Sequence, residues 1–318
     1  MVTREEVVMA YRLLLGREPE SEAAVTGHMA AHKDWQSLRK AFISTPEFAG
    51  KLGQAGGGRT FLTGSEPPML IDLDVPDDTM EALLEHVQQS WTALGREEPH
   101  WAVLTTPAYT KEKISENRDS FYRSGRNDAE RFKATLKRSH LTVPKGRCFE
   151  LGCGVGRVTR WLAPLFDEVV AADISGPMLE LARQYLVEQE IDNVTTVHFS
   201  AISDLVAVEP FDAFFSVIVI QHNPPPIQDL ILRSLLSKLR PGGVAYFQVP
   251  TYAANYYFNV RRFLSPKLKP GMEMHPLPQY RIFEIAAAAG LSVVEVAEDG
   301  WVGNALWRSN TFVLRRPA

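Results

Sequence analysis

The sequence predicts an α/β protein, a doubly wound sheet preceded by a small all-helical N-terminal domain. From residue 147 onward, short apolar runs alternate with amphipathic runs, which indicates parallel strands joined by helices. A glycine-rich turn, ELGCGVGRVT, directly follows the first of these apolar runs. Residues 3–52 instead show only the helical spacing of apolar residues. Together these observations separate a helical start from an α/β core.

Composition and charge narrow the class of protein. The 318 residues carry a net charge of -4, with 45% hydrophobic and 23% charged residues. These values are ordinary for a globular protein, and the charge gives no general attraction to nucleic acid, which we do not expect as a partner. No apolar run approaches the roughly 20 residues of a membrane span, and the N-terminus lacks the features of a signal peptide. We therefore expect a cytoplasmic protein without a membrane span.

The two cysteines, Cys148 and Cys153, are predicted to be free thiols. They lie on one strand and the turn that follows it. Five extended residues span about 16 Å, whereas a disulfide needs Cα atoms within about 7 Å. No group of Asp, Glu, His and Cys has metal-ligand spacing, so we expect no metal.

Residues 1–53 are predicted to form the helical domain. A capping box of Thr3 and Glu6 begins its first helix, and Gly16 ends that helix. A later helix contains Trp35 and Phe42, and a further short one follows Pro46. Residues 54–76, which begin QAGGGR, are predicted to be a linker.

Two segments of this helical region, AYRLLLGREPE and LRKAFISTPEFAGKL, resemble a short bacterial domain of unknown function. That domain accompanies enzymes of surface-polysaccharide assembly, so the resemblance implies a link to glycan biosynthesis. The alternative is a helical appendage that docks on the enzyme or mediates formation of a homodimer.

Residues 77–318 are predicted to form the main domain, with a helical extension over 77–145 and a lid insertion over 250–281. Asp77 or Asp78 is expected to cap the first helix of the extension. The string FYRSG, residues 121–125, is expected to break the extension into separate helices. The run FDAFFSVIVIQ predicts one strand over residues 211–221, and LSVVEVAED and RSNTFVLRR predict a closing pair of strands.

The glycine-rich turn predicts a ligand site. Gly152, Gly154 and Gly156 are spaced two apart at a strand-to-helix junction, where residues without Cβ let the backbone approach a ligand. A dinucleotide site shows G-x-G-x-x-G in the same place. Glu150 lies in the preceding strand, where a buried acid needs a partner. The next strand ends at Asp173, 17 residues after Gly156, in position for a ribose diol.

Together with FDAFF and LRPGGVAYFQV, these motifs resemble the S-adenosylmethionine-dependent class I methyltransferases over about residues 115–316. The resemblance implies a Rossmann-like seven-stranded sheet whose last strand is antiparallel, with S-adenosyl-L-methionine as cofactor. It implies that the turn lies against the methionine part of the cofactor, that Asp173 binds the ribose and that Arg123 meets the carboxylate. The usual acid for the adenine amine is missing after the third strand, so backbone there or Asp204 is expected to serve. The candidate cofactor-binding residues are Glu150, Gly152, Cys153, Gly154, Gly156, Arg157, Asp173, Ile174, Met178, Ala201, Ile202, Gln221, Tyr122 and Arg123.

The string VIVIQHNPPP, residues 217–226, indicates whether the methylated atom is a nitrogen or an oxygen. In amino-methylating members of the family, Asn-Pro-Pro follows the strand's Phe-Asp by about four residues, but Val217 holds that position here. The register resembles O-methylating members, in which a His lies about ten residues after the Asp, and His222 lies there. We predict His222 as the catalytic base, because an imidazole near its ordinary pKa can accept a hydroxyl proton. The alternative is a structural or substrate-orienting histidine. Asn223 is predicted either to cap a turn or to bind substrate.

The predicted lid mixes aromatic and polar residues, which suits an acceptor with hydroxyls such as a sugar, or else a dimer contact. The sequence therefore predicts O-methylation of a sugar or other hydroxylated small molecule in polysaccharide biosynthesis. Methylation of a natural product or a protein side chain, or a cofactor-binding scaffold without turnover, are the alternatives. The candidate substrate-binding residues are Asn223, Tyr252, Tyr256, Glu273, His275 and Gln279.

Overall fold

The computed structural model describes residues 2–45, 47–48, 66–265, 271–303 and 306–318. The chain divides into two compact units, Met1–Glu66 with Val302–Leu306 and Pro67–Trp301 with Trp307–Ala318. Residues 54–65 of the predicted linker and residues 266–270 of the predicted lid lie outside the described residues.

The N-terminal unit is helical, as its spacing of apolar residues predicts. Thr3 and Glu6 form the predicted capping box, and Gly16 ends the first helical stretch with a left-handed φ of 61°. Most of the helix predicted after Pro46 lies outside the described residues. The described helices are α1 (Arg4–Ala10), a π-helical continuation (Tyr11–Leu15), α2 (Glu22–Ala31) and α3 (Trp35–Ile43).

The second unit contains a seven-stranded sheet. The strands are β1 (Arg147–Leu151), β2 (Glu168–Asp173), β3 (Val194–His198), β4 (Phe211–Ser216), β5 (Leu239–Ala253), β6 (Ser292–Asp299) and β7 (Trp307–Arg315). Their spatial order is β3-β2-β1-β4-β5-β7-β6, with β7 antiparallel to both of its neighbours and the other pairs parallel. This confirms the predicted Rossmann-like sheet with an antiparallel last strand.

Helices cover both faces of this sheet, and a two-residue strand, Leu70–Ile71, pairs in parallel with Tyr257–Phe258. Within the described part of the chain, no helix is long and apolar enough to cross a membrane. The helices are α4 (Asp77–Glu97), α5 (Pro99–Val103), α6 (Ile114–Arg138), α7 (Thr159–Leu162), α8 (Gly176–Glu188), α9 (Ile202–Val206), α10 (Pro225–Leu236), α11 (Val260–Phe263) and α12 (Gln279–Ala288).

The core lies on both faces of the sheet because consecutive side chains of its central strands are both buried. Phe214 packs with Phe149 and Phe247 on one face, whereas Phe215 packs with Phe132 on the other. Burial on both faces is the rule for parallel sheets covered by helices. Cys148 and Cys153 are free and buried, as expected.

The helical extension differs from the prediction. Helix α6 runs without a break through residues 121–125, so the expected interruption is wrong. A Cβ on Gly125 would lie 2.0 Å from the carbonyl oxygen of Arg157, so this glycine permits close packing against the glycine-rich turn. The expected cap of α4 is also wrong, because Pro76 holds the cap position and Asp77 and Asp78 lie in the first turn.

Strand β4 is shorter than predicted, and this displaces the residues after it. The strand ends at Ser216, and Ile218 has a left-handed φ of 58°, which is unfavourable for a β-branched residue. A 3-10 turn, Ile220–His222, follows. Gln221 and His222 therefore lie in a turn beyond the strand and not within it.

Candidate active site

An open cleft lies beyond the carboxyl ends of β1, β2 and β4, where the strand order reverses direction and open α/β sheets bind ligands. It encloses about 1140 Å³, including solvent at its mouth. Predicted site residues that line it are Glu150, Gly152, Cys153, Gly154, Arg157, Asp173, Ile174, Met178, Ala201, His222 and Asn223. Other lining residues include Leu84, Val87, Trp91, Val103, Phe199, Leu205, Phe215, Val217, Ile218 and Val219.

The glycine-rich turn forms one wall of the cleft and leaves no room for side chains. Gly152 has a φ of 76°, and a Cβ there would lie 2.2 Å from a methyl group of Val219. Gly154 has a φ of 55°, and its Cβ would lie 2.9 Å from a methyl group of Val103. Gly156 does not line the cleft, because it faces Ala182 of α8. Glycine is therefore required by conformation and by close approach.

Four backbone N–H groups of this turn already have hydrogen-bond partners. Gly152 and Cys153 both donate to the Ala172 carbonyl, at 2.7 and 3.1 Å, and Gly154 donates to Asp173 Oδ2 at 2.7 Å. Gly156 donates to the Cys153 carbonyl at 2.9 Å. A dinucleotide pyrophosphate needs free N–H groups at this position. Those four N–H groups are therefore not available to a dinucleotide.

Asp173 is anchored but keeps acceptor capacity. Its Oδ1 accepts from the Ser175 N–H at 2.8 Å and its Oδ2 from the Gly154 N–H. Burial raises its pKa, although these backbone donors oppose part of the rise. A carboxylate has about four lone-pair sites. Asp173 can therefore accept further hydrogen bonds from the hydroxyls of a ligand in the cleft.

Glu150 is a buried acid without a full set of partners. Its side chain is 3% exposed, burial raises its pKa to about 7, and no described group donates a hydrogen bond to its Oε2. The Arg157 guanidinium nearby is paired with Asp128 at 2.7 Å. A cationic donor such as an ammonium group would satisfy this carboxylate. The site thus fits a ligand with a positive charge near β1 and hydroxyls near β2.

The residues after β3 that are predicted to contact adenine reach the cleft only in part. Ala201 lines the cleft with Phe199 and Leu205, but Ile202 does not. Asp204 Oδ2 accepts from the Ser200 and Ala201 N–H groups, at 2.7 and 2.9 Å, so this carboxylate serves as a local helix cap. Adenine would therefore meet apolar side chains and backbone here.

Tyr122 and Arg123 do not line this cleft, contrary to the sequence prediction. Both line a second cavity, in which the Tyr122 ring stacks on Tyr185 with centroids 3.4 Å apart. The reason is that α6 continues as a helix, so its residues stay packed beside α8. Helix α4 instead lines the cleft through Leu84, Val87 and Trp91, none of which is a predicted site residue.

His222 lines the cleft and is 9% exposed. Its Nδ1 lies 2.7 Å from the Glu273 carbonyl oxygen, and its ring packs edge-on against Trp91 with centroids 5.1 Å apart. Burial lowers its pKa to about 4, so the expectation of an ordinary pKa is wrong. Asn223 donates to the Val219 and Ile220 carbonyls, at 3.1 and 3.3 Å, as a turn residue does.

The candidate substrate residues of segment 250–281 do not line the cleft. Tyr256 OH lies 2.6 Å from His275 Nδ1, and His275 Nε2 lies 3.3 Å from Glu273 Oε2. Tyr252 OH donates to the Pro67 carbonyl, and Gln279 begins α12. The segment instead contacts the site through its backbone, because the Glu273 carbonyl holds His222.

Comparisons with known proteins agree with this geometry. Residues 149–243 match a family model described as a methyltransferase domain. The ubiquinone biosynthesis O-methyltransferase of Xanthomonas campestris pv. campestris is 28% identical over 110 residues, which are 34% of this chain and 44% of that protein. The match therefore spans less than half the length of this curated relative.

Solved structures share the fold. Magnesium protoporphyrin IX methyltransferase from Synechocystis PCC 6803, crystallised with bound SAH, superposes with a TM-score of 0.50 at 17% identity, over 72% of this chain and 98% of that one. The same enzyme with bound SAM also gives a TM-score of 0.50, over 77% and 99% of the two chains. Residues 149–243 of this chain thus match a methyltransferase domain, within a sheet that has the methyltransferase fold.

Proposed function

We propose that this chain transfers a methyl group from S-adenosylmethionine to a hydroxyl of a small molecule, with His222 as the base. One observation carries the proposal: His222 lines the same cleft as the glycine turn, Asp173 and Glu150. The domain match and the named O-methyltransferase relatives support it.

S-adenosylmethionine, when bound, supplies an activated methyl group on a sulfonium. Glu150 would hold its ammonium group and Asp173 its ribose hydroxyls, while the glycine turn leaves space for its methionine part. Trp91 and Val103 give the cleft an apolar wall. His222 Nε2 would accept the proton of the acceptor hydroxyl, a task that in enzymes contributes roughly 10²–10⁴-fold.

The cleft favours an acceptor with an apolar or aromatic body. Its walls are mostly apolar, and of the six residues predicted to bind substrate, Asn223 alone lines it. A phenol loses its proton at a pKa of about 10, far more readily than an alcohol, which suits a base whose own pKa is low. We therefore place a phenolic hydroxyl first and a sugar hydroxyl second among acceptors.

Methyl transfer from labelled S-adenosylmethionine to simple catechols and to nucleotide-sugars tests the proposal. Transfer to the catechols supports it, transfer to the nucleotide-sugars alone returns the acceptor to the glycan class, and transfer to neither, with intact cofactor binding, contradicts it.

The base is tested by His222→Ala. Affinity for S-adenosylhomocysteine, measured by calorimetry, should persist, whereas the turnover number should fall about a hundredfold because one positioned base is lost. His32→Ala, in the N-terminal unit, is the matched histidine control and should leave turnover unchanged. A turnover number of the His222→Ala variant equal to that of the wild-type protein would show that His222 is not the base.

A further inference from the structure

A buried chain of hydrogen bonds runs from β7 to His222 and is not explained by packing. It joins Ser309, Gln248 and Gln221, whose side chains are at most 2% exposed, to the His222 ring. Gln248 Nε2 lies 2.6 Å from Ser309 Oγ and 3.0 Å from Gln221 Oε1, and Gln221 Nε2 lies 3.2 Å from His222 Nε2. Burying two amides is costly unless each polar atom is used.

Two backbone groups, the Ile218 N–H and the Glu273 carbonyl, fix the orientation of the side chains in this series of hydrogen bonds. The Ile218 N–H can only donate, and it meets Gln248 Oε1 at 3.0 Å. The amide nitrogen of Gln248 must therefore face Gln221, which turns the Gln221 oxygen toward it and the Gln221 nitrogen toward His222. His222 Nε2 then accepts and carries no proton.

The other end gives the same answer independently. The Glu273 carbonyl can only accept, and it lies 2.7 Å from His222 Nδ1, so the proton is on Nδ1. A neutral imidazole with its proton on Nδ1 has its lone pair on Nε2. The Ile218 N–H and the Glu273 carbonyl thus both indicate that neutral His222 carries its proton on Nδ1. Nε2 then has the lone pair that a base requires.

We propose that Gln248 is a positioning residue: by fixing the orientation of Gln221 it excludes a hydrogen-bond acceptor from the position in front of His222 Nε2, so that no group there holds a proton on that nitrogen. The same amide supports Ile218, whose left-handed backbone shapes the cleft wall. The role rests on the proposed function of His222 and names a residue outside the cleft that this function depends on.

In the free protein the Gln221 amide occupies the lone pair of His222 Nε2. Its second polar contact is Met274 Sδ at 3.4 Å, a weak acceptor, and 3.2 Å to His222 is long for a hydrogen bond. Gln221 itself does not line the cleft, contrary to its prediction as a cofactor-binding residue. A substrate hydroxyl would have to displace this weak donor before Nε2 could accept its proton.

Gln248→Glu tests the role of this hydrogen-bond chain, here called the relay. The variant keeps the shape of the side chain and its contact with Ile218 but replaces the donor with a carboxylate. Gln221 should then turn its nitrogen toward the carboxylate and its oxygen toward His222. With an acceptor at each ring nitrogen, the imidazole should become protonated on Nε2. The ¹⁵N resonance of this nitrogen in histidine-labelled free protein should move to the region of protonated nitrogens, and turnover should fall about a hundredfold.

Gln221→Met is the control, because it removes the amide without placing an acceptor before His222. The Glu273 carbonyl should then keep the proton on Nδ1, and the ¹⁵N signature should stay that of the parent protein. Denaturant unfolding of each variant separates a loss of fold from a change of tautomer.

Two results would overturn the proposal: an unprotonated Nε2 in folded Gln248→Glu protein, or a protonated Nε2 in folded Gln221→Met protein. The resonance is read without substrate. Expected resonances together with no methyl transfer to any acceptor would therefore count against the proposed function and leave the relay intact.

Discussion

At the scale of single residues, the site is built from two buried carboxylates in different situations. Asp173 accepts hydrogen bonds from two backbone N–H groups, whereas Glu150 Oε2 has no donor within the described structure. The first can take neutral hydroxyls, and the second needs a positive charge. The difference between their partners sets the direction in which a sulfonium nucleoside with an ammonium group would lie.

The raised pKa of Glu150 predicts a pH-dependent affinity. Folded free protein keeps the Glu150 proton up to a pH of about 7, whereas the unfolded chain loses it near 4.5, so this group favours folding less as pH rises between those values. A bound ammonium group favours the ionised form. Affinity for S-adenosylhomocysteine should therefore increase from pH 5 to pH 7, with release of a proton.

Calorimetry in buffers of different ionisation enthalpy measures this proton release. Glu150→Gln should abolish the pH dependence and weaken binding about tenfold at pH 7, because a charge-assisted hydrogen bond is lost. Wild-type affinity that stays constant over this range would show that Glu150 does not meet the ligand's charge.

At the scale of elements, α6 and the glycine turn approach each other at backbone distance. Gly125 lies in the middle of a 25-residue helix, where glycine costs about 1 kcal/mol relative to alanine. The position retains glycine because a Cβ would collide with the Arg157 carbonyl. The Trp161 Nε1–H bond to the Tyr122 carbonyl, at 2.8 Å, ties the same two elements together.

Gly125→Ala should destabilise the protein by about 2 kcal/mol through overpacking and should weaken cofactor binding, because the turn is displaced. Gly27→Ala is the matched control: Gly27 is exposed in the middle of α2 with no atom within 4 Å of the added Cβ, so stability should rise by about 1 kcal/mol. Urea unfolding measures both changes. A neutral or stabilising Gly125→Ala would show that this contact relaxes freely.

At the scale of the whole molecule, the cleft belongs to one unit. All of its lining residues lie between Leu84 and Ile231, within the second compact unit. The beginning of that unit is tied to β5, because the Pro67 carbonyl accepts from Tyr252 and Met69 Sδ accepts from the Ala253 N–H. A truncation that removes the first unit and keeps these two contacts therefore begins at Pro67.

A protein of residues 67–318 should bind S-adenosylhomocysteine within about twofold of the full chain, since every residue that lines the cleft belongs to the second unit. Calorimetry, with circular dichroism to confirm folding, measures this. Loss of binding by a folded truncated protein would assign the N-terminal unit a part in the site. If the truncated protein binds and transfers methyl groups normally, the N-terminal unit acts outside catalysis.

The sequence alone determined the order of strands and helices, the free cysteines, and the glycine turn with its acids. These follow from local rules: apolar periodicity shows which faces are buried, and a turn without Cβ is visible as three glycines. The alternation of elements was enough to predict the sheet, because parallel strands need helical crossovers.

Only the tertiary structure decided which side chains meet across those elements. Ile218 leaves the sheet early and places Gln221 and His222 in a turn, and no local pattern distinguishes that run from a longer strand. Gln248 reads as an ordinary strand residue until the sheet brings it beside Gln221. Hydrogen-bond partners, and the pKa values that depend on burial, are set by contacts between residues far apart in the chain, so they appear only when the chain has folded.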